Sequence, residues 1–136
     1  MEKINALQEC IHIPIYGCSL YLFIGKTVED ITPLVDSVYP NTVIDLKDKV
    51  GYTVQLTHTN GVTNFAMFLP LLNRPVADIV STINHESIHA AWYILDYVGV
   101  IVNADNHEAL TYLTQYIFDN VYSQCIGHAN LIDALR

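Results

Sequence analysis

Hydrophobic and polar positions change period several times along the chain, and each change marks an element. Apolar runs over 10–16 and 19–24 read as two short strands separated by Gly17-Cys18. Ile31, Leu34, Val35 and Val38 then recur at helical spacing, behind Thr27-Val28-Glu29-Asp30, which resembles an N-terminal capping box. The spacing predicts a helix over 28–38, ended by Tyr39-Pro40-Asn41. Pro33 leaves open a shorter helix with the proline in its first turn. Residues 42–46 are a candidate short strand.

Tyr52, Val54 and Leu56 alternate with Thr53, Gln55 and Thr57, the pattern of a half-buried strand. Asn60-Gly61 suits a tight hairpin turn, and 62–69 is the returning strand, apolar on both faces. Pro70 and Asn73-Arg74-Pro75 break the pattern. From Pro75 a helical period runs to about Tyr97, where Gly99 is placed to stop it. A connector over 100–104 leads to Asp105-Asn106, either of which can cap a second helix from about His107 to Gln124. Residues 129–135 can add a short helix. The expected fold class is α+β, zincin-like: a mostly antiparallel sheet followed by two long helices, within a single domain over 1–136.

Composition narrows the function classes. Half of the 136 residues are hydrophobic and 15% are charged, which is a core-rich globular balance. The formal charge of −8 leaves no basic run for a phosphate backbone, so no nucleic-acid partner is expected. Cys10, Cys18 and Cys125 form no C-x-x-C pair and read as reduced thiols. No segment reads as a signal peptide or a membrane span, and the expected setting is the cytoplasm, with no membrane partner.

Candidate chemistry lies in His85-Glu86-Ser87-Ile88-His89, an H-E-x-x-H motif within the first long helix. Residues four apart on a helix differ by about 40° and rise about 6 Å, so two imidazoles can meet at one metal ion. Glu86 lies beside them as a candidate base for a water. With six histidines in the chain, a chance match has odds of about one in a hundred, so context must decide. A catalytic zinc needs a third protein ligand. Glu108, 19 residues beyond His89 at the start of the second helix, is the candidate, with His107 as its competitor. Leu110, Leu113 and Ile117 mark the neighbouring core face of that helix.

The motif, the Ala90-Ala91-Trp92-Tyr93-Ile94-Leu95-Asp96 run and Asn106-His107-Glu108-Ala109 together resemble gluzincin metallopeptidases in a minimal single-domain form. They are similar to small predicted metallopeptidases of bacteriophages, over roughly residues 75–124. The resemblance implies His85, His89 and Glu108 as zinc ligands and Glu86 as general base, with an extended peptide or protein substrate pairing to a sheet edge. Unlike larger family members, the chain shows no obvious C-terminal lobe, so none is expected to supply a distant oxyanion donor. Tyr112 is the substitute favoured here, with Tyr116, His58 and His128 behind it. Asp96 is a candidate to orient a ligand or to cap, Asn84 reads as a surface amide, and Trp92 is expected in the core.

Two function classes follow. The first is a zinc-dependent hydrolase, a small metallopeptidase, with non-peptide amides and esters sharing the same ligands. The second is a zinc-containing binding protein, non-catalytic or weakly so, for example a phage protein that targets a host factor.

Overall fold

A computed structural model describes residues 6–40, 42–57 and 61–134, with the side chains of 130–134 left aside. Four strands form one mixed sheet: β1 (Ala6–Ile13), β2 (Cys18–Gly25), β3 (Tyr52–Thr57) and β4 (Thr63–Pro70), in spatial order β1-β2-β4-β3. The outer pairs β1–β2 and β3–β4 are antiparallel, while the central β2–β4 pair is parallel, with Gly25 opposite Pro70. The sheet is thus mixed where a mostly antiparallel one was expected. The reason lies in the connection from β2, which passes through a helix and returns on the far side of β4.

Helix α1 (Val28–Val38) packs on one face of the sheet, where Ile31 and Val35 meet Phe23, Ala66 and Phe68. Its N-cap is Thr27, whose Oγ1 accepts from the Asp30 backbone N–H at 3.2 Å. Pro33 sits inside the helix and not in its first turn. Its side is exposed, so the one missing N–H is tolerated at the surface. Residues 42–46 form no strand, and Leu46 alone is buried there, against the α1 face.

The other face is covered by α2 (Val76–Tyr97), which packs on β3 and β4, and by α3 (Glu108–Ala134), which packs on α2 and β1. Leu22, Met67 and Leu69 of the sheet share that core with Ile83, Ala90 and Ile94 of α2 and with Leu113, Ile117 and Val121 of α3. The expected short C-terminal helix is absorbed into α3, which runs unbroken to Ala134. Gly61 has φ +86, as a tight turn requires; Asn60 and His58 lie outside the described residues.

Gly99 ends α2 as expected, and the hydrogen bonds show how. Its φ is +83, its N–H donates to Asp96 O, and Val100 N–H donates to Leu95 O at 2.9 Å. That paired closure satisfies the last free carbonyls of the helix and turns the chain back. No helix among the described residues is long and apolar enough to cross a membrane.

Candidate metal centre

The sheet and α3 cover α2 and bury Ile79, Ile83, Glu86, Ser87, Ala90, Ala91, Ile94 and Leu95. What is left is an exposed stripe through His85, His89, Trp92 and Asp96, at spacings of four, three and four. The H-E-x-x-H motif straddles this boundary. Its histidines look outward and its glutamate looks inward.

The histidine side chains converge. His85 Nε2 and His89 Nε2 lie 3.2 Å apart, with the rings at 70° to each other. Two ligands of a tetrahedral zinc at about 2.0–2.1 Å stand roughly 3.3 Å apart, so this separation fits one shared ion. Without a metal, the same separation suits one imidazole N–H donating to the other ring. Tyr93, one turn beyond, stacks on His89 with centroids 6.1 Å apart and the rings 19° from parallel.

Glu86 is 5% exposed, which is expensive for a carboxylate unless it is hydrogen-bonded. Thr53 of β3 meets that cost by donating its hydroxyl to Glu86 Oε1 at 2.8 Å. The other oxygen, Oε2, lies 3.8 Å from His85 Nε2 and accepts no hydrogen bond among the described residues. One oxygen is therefore anchored and the other is open beside the imidazole pair. Gly51 leaves room for this arrangement: a Cβ there would stand 3.0 Å from Glu86 Cγ and 2.7 Å from Thr82 Cγ2. The strand holding Glu86 is β3, an edge of the sheet.

Sequence reasoning missed Thr53, reading its row as the polar face of a half-buried strand. Tyr52, Val54 and Leu56 do face the α1 core, but Thr53 faces α2 and is buried. The available signal was a lone glutamate on the buried side of an apolar helix, which requires a donor from the neighbouring strand.

The remaining sequence candidates are placed as follows. Glu108 opens α3 and is exposed, as is His107. Among the described residues no group of three His, Cys, Asp or Glu side chains stands together as a metal site, so the structure pairs His85 with His89 and brings neither Glu108 nor His107 to them. The loop before α3 is tightly organised: Asn103 N–H donates to Asn106 Oδ1 at 2.7 Å, Asp105 N–H donates to Asn103 Oδ1 at 2.8 Å, and Asn106 Nδ2 donates to Ile101 O.

Trp92 is 51% exposed and not in the core. It lines a cleft of about 200 Å³ with Asp96 and residues 99–102, so the chain leaving α2 folds back against the exposed stripe. The expectation failed because the core takes the Ala91–Leu95 side of α2 and leaves the Trp92 side open. Asp96 is exposed and forms no ion pair or hydrogen bond through its side chain with the described residues; Asn84 is exposed as expected. Tyr112 lines an apolar groove of about 560 Å³ with Ile13, Pro14, Ile15 and Tyr16, and no residue of 85–89 lines it. Tyr116 donates its hydroxyl to His12 O at 2.8 Å and ties α3 to β1. His128 is buried with no partner for either ring nitrogen among the described residues, and burial, with Lys26 adding to it, holds its pKa below the ordinary value.

Comparison of the chain with protein-family models, curated proteins and solved structures gives no match.

Proposed function

We propose that this chain is a zinc-dependent hydrolase, a small metallopeptidase of gluzincin type acting on peptide bonds. The observation that carries the reading is the disposition of three side chains: two converging imidazoles and a buried carboxylate with one oxygen anchored and one open. His85 and His89 would hold the metal through their Nε2 atoms, and Glu108 is the proposed third ligand. Support for Glu108 comes from chain order. The α2 end and the fold-back at Trp92 and Asp96 carry the connector towards the histidine stripe, and Glu108 follows a loop braced by Asn103 and Asn106.

Zinc held there would supply Lewis-acid polarisation of the scissile carbonyl and of the attacking water. Glu86 is the general base. Its Oε2 takes the proton of that water and delivers it to the leaving amine, while Thr53 fixes the carboxylate so that this oxygen keeps its aim. The edge strand β3 supplies a place for an extended substrate, whose backbone would pair along it next to Glu86. Gln55 and Thr57, exposed on the same face of β3 as Thr53, extend that shelf away from α2.

Both imidazoles are exposed, and the pair belongs to no three-ligand group among the described residues. This favours a second reading, a zinc-containing binding protein in which the pair recruits metal without turnover. Glu86→Gln separates the two. Hydrolysis of a peptide library by the zinc-loaded protein, lost by at least about a hundredfold in Glu86→Gln with unchanged zinc content, supports the peptidase. No hydrolysis by either protein, with zinc bound equally by both, supports the binding protein.

A further inference from the structure

The central strands β2 and β4 run parallel and end side by side, Gly25 opposite Pro70. Each is followed by a helix, and the helices go to opposite faces: α1 to the Phe23–Phe68 face, α2 to the Met67–Leu69 face. Chains that diverge from neighbouring parallel strands leave a crevice beyond the strands' carboxyl ends, where α/β folds take their ligands. Here that crevice measures about 530 Å³, the size of a small-molecule site.

Its charge is the reverse of the protein's. The chain has six Lys and Arg residues and a formal charge of −8, yet Lys26, Lys49 and Arg74 all line this one crevice, opposed there by Asp48 alone. The side chains of Lys26 and Arg74 form no ion pair with a described residue, and the Lys49 ammonium lies 4.8 Å from the centre of the Tyr52 ring. Unneutralised cations held together in an acidic protein repel one another, and a bound anion relieves that. The backbone adds to the field. The N-cap of α2 is Pro75, also in the lining, and provides no side-chain cap. The first-turn N–H groups of Val76 and Ala77 are therefore left for a solvent or ligand oxygen.

We infer that this crevice binds a small molecule through a phosphate monoester. A doubly charged tetrahedral oxyanion can accept from the Arg74 fork, an ammonium and a helix N–H together. The turn from β2 to α1 is too short to wrap a polyphosphate: only Lys26 and Thr27 join Gly25 to Val28. The site is separate from the histidine pair, since His85 lies nine residues along α2 from Val76, about 14 Å at helical rise. It goes beyond the hydrolase reading and does not depend on it.

The test is an amide-resolved NMR titration of the metal-free protein with inorganic phosphate and with adenosine monophosphate, at constant ionic strength held by chloride. Saturable shifts are expected at Lys26, Thr27, Val28, Arg74, Val76 and Ala77. Lys26→Ala and Arg74→Gln should each weaken binding about tenfold, while Lys47→Ala, outside the lining, leaves it unchanged. His89→Ala should titrate like the parent, so a failure of the zinc reading leaves this result standing. Shifts that grow linearly without saturating, that spread equally to Lys47, or that keep their affinity in both crevice variants would overturn the site. Amide dispersion in each variant's own spectrum reports whether it is folded.

Discussion

Thr53 donates its hydroxyl to Glu86 Oε1 at 2.8 Å, with Glu86 O a longer second acceptor at 3.4 Å, and so joins the edge strand to the H-E-x-x-H motif. It satisfies a buried carboxylate and selects which oxygen faces the histidines. Thr53→Val keeps the shape and removes the donor, leaving Glu86 unsatisfied. The expected cost is about 1–3 kcal/mol in urea unfolding, with Thr53→Ser recovering most of it. If the valine variant matched the parent in stability, the bond would have no structural role.

Gly51 faces the same carboxylate from the start of β3. Its alanine variant would place a Cβ 2.7 Å from Thr82 Cγ2, which forces a shift of α2 or of the strand. Overpacking of this kind costs about 1–3 kcal/mol. Combining Gly51→Ala with Thr82→Ser, which removes the clashing methyl, should restore part of the loss. Additive losses in the double variant would contradict this contact.

Gly99→Ala tests the turn that sends the chain from α2 towards α3. Its φ of +83 is costly for a residue with a Cβ, although open space surrounds the position. The expected loss is about 1 kcal/mol, read as a lower urea midpoint with an unchanged slope.

Legibility in the sequence divided along physical lines. Local signals were plain: Thr27 caps α1, Gly99 stops α2, and the 52–57 alternation is a strand. Non-local pairing was hidden. Nothing in the residues of β2 and β4 says that they pair parallel, because a strand buried on both faces looks the same in either direction. The covered side of the motif helix was hidden as well, because Ile79, Ile83, Ile88, Ala91 and Leu95 are apolar alike in sequence. Yet Ile88 is 42% exposed and both histidines are open, since two neighbours cannot cover a whole helix. Within the motif, burial falls on Glu86 and Ser87 and spares the two histidines. The crevice cations were invisible as a group because Lys26, Lys49 and Arg74 come from three separate loops.

His128 makes stability depend on pH. Burial, assisted by Lys26, holds its folded-state pKa below the unfolded value of about 6.5. Above that value both states carry it neutral, and its contribution is constant. As pH falls below about 6.5 the unfolded chain takes up the proton first, so stability declines until the folded pKa is passed. His128→Leu removes this titration, together with two ring nitrogens that have no partner among the described residues. Its urea midpoint should fall less than the parent's between pH 7 and pH 5.5; an equal fall would contradict the assignment.

We propose that His85 and His89 share a metal ion, and zinc content per chain is the decisive measurement. Purified protein should carry close to one zinc, measured by elemental analysis, and His89→Ala should carry almost none while keeping its fold. Protein without zinc after exposure to it, or His89→Ala with undiminished zinc, would rule out a metal held by this pair.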